Sequence, residues 1–154
     1  MEKFNKKIKK VVNRERCEIV KEILKKDVEK LDLMDEIADE IIAKRDRLDS
    51  LKSGMGGTEP MKGGGSSQED KIVKILDDLR ELEEAFAYLR DETGKIDAAI
   101  KSLPDAVMID IVERVWMFGS ETIRSLGHKY NLSKDKIWRK SDVALLSLYK
   151  KLIK

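Results

Sequence analysis

From residue 72 to residue 103 the apolar positions alternate at spacings of three and four: Ile72, Ile75, Leu79, Leu82, Phe86, Leu89, Ile96, Ile100 and Leu103, with Thr93 as the one polar member. A stripe with that spacing lies along one side of an α-helix and has to be covered by a second apolar surface. A half-buried strand would alternate every second residue instead. The stripe crosses Gly94 without losing phase, so one helix is predicted, weakened there by roughly 1 kcal/mol against alanine. A matching stripe comes earlier, at Cys17, Val20, Leu24, Leu31, Met34, Ala38, Ile41 and Leu48. Asp27 and Arg45 interrupt it, and Ile23, Ile37 and Ile42 widen it. Two stripes of similar length predict an antiparallel coiled-coil hairpin within residues 1–103, with 17–52 and 69–103 as its arms. Such stripes serve equally well between chains, so a homo-oligomer formed through the coiled coil is also expected.

Residues 53–68 separate the arms. Glycines 54, 56, 57, 63, 64 and 65 fall there, together with Pro60, and such a stretch does not continue a helix. It lacks G-x-x-x-x-G-K-[ST], and no strand precedes it, so a linker is predicted rather than a phosphate cradle. Ser66 or Ser67 is the expected cap of the second arm, with Glu69 and Asp70 in its first turn.

The formal net charge of +2 conceals a segregation along the chain. Residues 1–16 hold seven Lys/Arg against two acids, and residues 104–154 hold ten against six. The two arms lean the other way, with eight basic against eleven acidic residues in 17–52 and six against ten in 69–103. Basic ends are where a polyanion would bind. No apolar run approaches the roughly 18 residues of a membrane span, and the basic N-terminus lacks the apolar core of a secretory leader. No membrane partner is expected, and a cytoplasmic location is. Cys17 is the single cysteine, which excludes an internal disulfide and reads as a small core residue. One His, one Cys and acids scattered over helix surfaces give no converging catalytic set, so no enzyme, cofactor or metal site is expected.

The C-terminal third carries the functional signal. Pro104 opens a helix through DAVMIDIVERVWMF, and Phe118-Gly119-Ser120 ends it. Ser120 is the expected cap of a short helix, ETIRSLGHKY, with Ile123, Leu126 and Tyr130 inward. Asn131 tolerates the left-handed conformation of a tight helix stop. Leu132 points back, Ser133 caps the next helix, and Ile137, Ala144, Leu145, Leu148 and Leu152 face inward. Gly127 is small where the two helices cross. This is the pattern of a helix-turn-helix, whose second helix enters a major groove with its first turn and outer face. Ser133, Lys134, Lys136, Trp138, Arg139 and Lys140 are the candidate DNA contacts, with Trp138 expected to be packed or half-exposed and base contact its minority reading. Lys and Arg neutralise phosphates, and Arg also pairs with guanine edges. Residues 121–154 hold nine basic residues against three acidic. Lone His128 has no second ligand beside it.

The segment MIDIVERVWMFGSETIRSLGHKYNLSKDKIWRKSDVALLSLYKKL resembles the last region of sigma factors, with Ser133, Ile137, Ala144 and Leu145 at the positions that carry the likeness. With KGGGSSQED (62–70) as linker, residues 20–154 resemble RinA/ArpU-type phage late-gene transcriptional regulators. Gly127 stands where Ala is commoner in that pattern, Asn131 where Gly is, and Lys140 where an aliphatic residue is. The resemblance implies an all-α protein with a coiled-coil hairpin over 1–103 and a sigma-like DNA-binding domain over 104–154. It implies a phage or prophage activator acting on double-stranded DNA, with host RNA polymerase a partner of the acidic hairpin. The alternative is a structural or packaging adaptor, a small-terminase-like DNA binder that oligomerises through its coiled coil. No segment resembles the sigma region that melts promoters.

Overall fold

The computed structural model describes residues 1–55 and 65–153, and these are all-α, with no strand among them. Helix α1 spans Glu2–Met55 and α2 spans Gly65–Lys101. Both are longer than the apolar stripes require. Residues 2–16 of the basic N-terminal segment are part of α1, and α1 and α2 reach three and four residues into the stretch expected as linker. The expected cap at Ser66 or Ser67 is displaced with it, because α2 already begins at Gly65. The rest of the expected linker, residues 56–64, lies outside the described residues. Gly94 lies inside α2 in open space, as the unbroken stripe predicts.

The chain packs as two compact units, residues 31–92 and residues 1–30 with 93–154. A division at residue 103 does not coincide with this grouping. The physical reason is visible in the cores of each unit.

In the first unit, Ile37, Ile41 and Leu48 of α1 pack with Ile75, Leu79 and Leu89 of α2, flanked by Met34, Leu51, Ile72, Leu82 and Phe86. Lys44 Nζ lies 3.3 Å from Asp78 Oδ2, and Arg45 Nη2 lies 2.8 Å from Glu83 Oε1. Gln68 Nε2 donates to the Leu51 carbonyl at 3.1 Å. Later residues of α1 meet earlier residues of α2, so within 31–92 the helices run antiparallel. The Arg45–Glu83 pair is exposed and adds little to stability, and the Lys44–Asp78 pair is half-buried. Apolar burial along the stripe holds these residues together.

In the second unit, Cys17, Val20 and Leu24 of α1 meet Ala99, Ile100 and Leu103, and all six pack on Val112, Ala144, Leu145 and Leu148. The start of the α1 stripe therefore covers one side of the C-terminal helices, while a second cluster lies wholly within residues 104–154. Helix α3 spans Ala106–Asp110, capped by Asp105, whose Oδ1 accepts from the Val107 amide at 2.9 Å. Pro104 precedes that cap rather than opening the helix. The helix continues as a π-helical segment, Ile111–Met117. Consecutive residues there serve different cores: Val112 joins the cluster with α1, and Ile111 joins Ile123, Leu126 and Ile137. Helix α4 spans Ile123–Tyr130 and α5 spans Lys134–Leu152.

Candidate nucleic-acid interface

Local chemistry fixes both ends of α4. Thr122, not Ser120, is its cap: Thr122 Oγ1 accepts from the Ser125 amide at 3.0 Å and Ser125 Oγ accepts from the Thr122 amide at 2.8 Å. This reciprocal arrangement satisfies two amides that the helix leaves unpaired. Glu121 is drawn instead to Arg114, 3.7 Å away. At the other end Asn131 takes the left-handed conformation, φ 54° and ψ 45°. The Leu132 amide then donates to the Gly127 carbonyl at 2.9 Å. A side chain at Gly127 would place its Cβ 3.0 Å from the Leu132 carbonyl oxygen, so the close return of the chain requires the small residue. Ser133 caps α5, its Oγ accepting from the Lys136 amide at 3.2 Å.

Two further links set the angle of α5. Ile137 is fully buried among Ile111, Ile123 and Leu126. Trp116 Nε1 donates to Ser141 Oγ at 2.8 Å, which satisfies a hydroxyl with no exposure to solvent. Tyr130 is tied back to α3, its hydroxyl donating to Asp110. That bond pushes the Tyr130 pKa up to about 12 and holds the Asp110 carboxyl below its ordinary range, helped by Lys129 at 3.2 Å.

The six expected DNA-facing residues do not form one face. Lys136 and Arg139 are exposed and lie about 60° apart around α5 at 100° per residue, so they share its outer side. Lys134 is exposed on the first turn and lines a hollow with Arg124, Gly127, His128, Asn131, Leu132 and Ser133. Lys134, Lys136 and Arg139 enter no ion pair among the described residues. Lys140 differs from the expectation. It is half-buried and paired with Asp105, whose carboxyl is held below its usual range by that bond and by the Val107 amide. Its ammonium closes α5 against the start of α3 and is not a free cation.

Trp138 also lies elsewhere. Its ring sits 5.9 Å from that of Trp116, tilted by 47°, and it borders a groove against α1 while remaining 38% exposed. That places it about 100° from both Ile137 and Arg139 around the helix. Two residues that the sequence reading does not single out for DNA, Arg124 and His128 of α4, join the site. Their spacing of four on the outer side of a short helix is the signal that points to them. Arg124 and His128 flank the same hollow as Lys134. Among the described residues no group of His, Cys, Asp and Glu is arranged to hold a metal ion. No helix among them is long and apolar enough to cross a membrane.

Comparison with protein-family models, with curated proteins and with solved structures returns no match to this chain.

Proposed function

We propose that the protein binds double-stranded DNA through α4 and α5, as a transcriptional regulator of the phage late-gene type. The observation that carries the reading is the turn at Asn131. It joins a short helix to a longer one whose first two turns pack inward through Ile137 and carry the unpaired Lys134, Lys136 and Arg139 on their exposed side. A helix so presented has the dimensions and the charge to enter a major groove, while the helix before it crosses the backbone. Arg139 is the candidate base reader, since its planar fork engages a guanine edge through two hydrogen bonds. Lys134 and Lys136 are candidate phosphate ligands, joined by Arg124 across the hollow. Residues 31–92, with their acidic surface, are the candidate docking region for RNA polymerase.

Exposed Leu33, Ile42, Val73, Leu76 and Tyr88 within 31–92 are the apolar residues that self-association, which the packaging-adaptor reading shares, would have to cover. The test is selection from a random duplex pool by the purified protein. Regulation requires enrichment of a short, defined site. Retention of all duplexes alike by a ring-sized assembly would favour the packaging reading. Failure to retain duplex at all would overturn both.

A further inference from the structure

Between the first turns of α1 and the side of α5 runs a groove of about 620 Å³. Lys6, Lys9, Lys10 and Arg14 border it from α1. Its floor is apolar, from Cys17, Leu146 and the exposed edge of Trp138. None of these four cations enters an ion pair among the described residues. Lys21, the fifth cation of the groove, is committed: it lies 3.1 Å from Glu18 and 3.9 Å from the centre of the Trp116 ring. Among the described residues, that leaves Asp142 as the only acid of the lining without such a partner.

Spacing adds direction. Lys6, Lys10 and Arg14 recur every four residues, about 6 Å apart along the helix axis. They project on the side of α1 that, further along, bears the buried Cys17 and Leu24. Beyond the reach of α5 that side has no core to cover, and the sequence fills it with cations. The apolar residues of this segment, Phe4, Ile8, Val11 and Val12, lie away from that side and are exposed.

We infer that the first four turns of α1 are a second phosphate-binding strip, which holds the backbone of the duplex whose groove α5 enters. The inference rests on the reading of α5 above and deepens it. A row of unpaired cations over a concave surface fits an extended polyanion, because each phosphate neutralised releases a condensed counterion. An anionic membrane is the competing surface. It would take up the apolar side with Phe4 and Ile8, and would leave the concave side without a partner.

The experiment compares three variants of the full chain with the wild type: Lys6→Ala/Lys9→Ala/Lys10→Ala, Lys136→Ala/Arg139→Ala, and Phe4→Ser/Ile8→Ser. Each replaces exposed residues, and thermal melts check that the fold persists. Affinity for a random-sequence duplex is measured across a salt series, and binding to phosphatidylserine vesicles is measured alongside. The α1 lysine variant is expected to flatten the plot of log affinity against log salt by roughly two to three, at about 0.9 for each phosphate no longer neutralised. The weakening is expected to be the same on every sequence. An unchanged slope in that variant, with a reduced slope in the α5 variant, overturns the strip and leaves the α5 reading standing. The reverse pattern supports the strip and overturns the α5 reading. No duplex binding by the wild type overturns both. Vesicle binding that depends on Phe4 and Ile8, with the duplex slope unchanged in the lysine variant, assigns the segment to a membrane instead.

Discussion

At the scale of single residues, the side chain that fits least easily is Asp27. It is 3% exposed on the α1 stripe, and its Oδ1 has no hydrogen-bond partner. Burial pushes its pKa up to about 6, with Lys30 pulling it down and Asp97 pushing it further up. Because the folded value exceeds the ordinary 3.8, the folded protein holds a proton there that the unfolded chain releases. The stability this gives is complete below about pH 4 and is lost as pH rises through 6. Asp27→Asn is therefore expected to stabilise the protein at pH 7 by about 2–3 kcal/mol, at roughly 1.4 kcal/mol per pH unit of the shift. The gain should shrink toward nothing near pH 4, as read from denaturant midpoints over that range. A gain independent of pH would mean the carboxyl is not the source. The sequence already marks Asp27 as a break in the stripe; that it is buried depends on α2, and no local pattern reports that.

Among the elements, the turn at Asn131 makes the sharpest prediction. Asn131 is exposed, so its replacement changes backbone conformation with little change in packing. Asn131→Ala is expected to cost about 1 kcal/mol, because alanine resists the left-handed region, and Asn131→Gly to cost nothing or to stabilise. Equal melting temperatures for the two variants would contradict a left-handed stop. For the antiparallel pair, Leu79→Ala is expected to cost about 2–5 kcal/mol. Glu83→Ala, which breaks the exposed pair with Arg45, should cost under about 1 kcal/mol. Equal shifts in thermal melting would remove the stripe as the source of stability. These elements are legible in the sequence because their causes are local: the three-four spacing, Asn131 as helix stop, Ser133 as cap. Thr122 displaces Ser120 because a reciprocal cap with Ser125 satisfies more amides than a lone serine. Trp138 and Lys140 depart from the expected DNA-facing side because their partners, Trp116 and Asp105, lie 22 and 35 positions earlier in sequence. A helix wheel records which side a residue faces, and not what stands opposite.

For the whole molecule, the proposed function assigns the two signs of charge to different partners. Under that proposal the basic residues near the two ends would hold DNA, and the acidic 31–92 region would serve protein partners. If exposed Leu33, Ile42, Val73, Leu76 and Tyr88 are covered by a second copy, the mass in solution will exceed the 17.7 kDa of one chain. Replacing Ile42 and Tyr88 by serine will then return it to that value; a single-chain mass for the wild type would contradict self-association. The central claim is that α5 reads duplex DNA, and affinity of Arg139→Ala and Lys134→Ala on an enriched site and on a scrambled one tests it most directly. Arg139→Ala is predicted to lose about 1–3 kcal/mol on the enriched site, to relax preference at one base pair, and to lose less on the scrambled duplex. Lys134→Ala is predicted to weaken both duplexes alike and to lower the salt slope by roughly one. Unchanged affinity in both variants would contradict DNA reading by α5, and would leave its outer side an ordinary solvated helix surface.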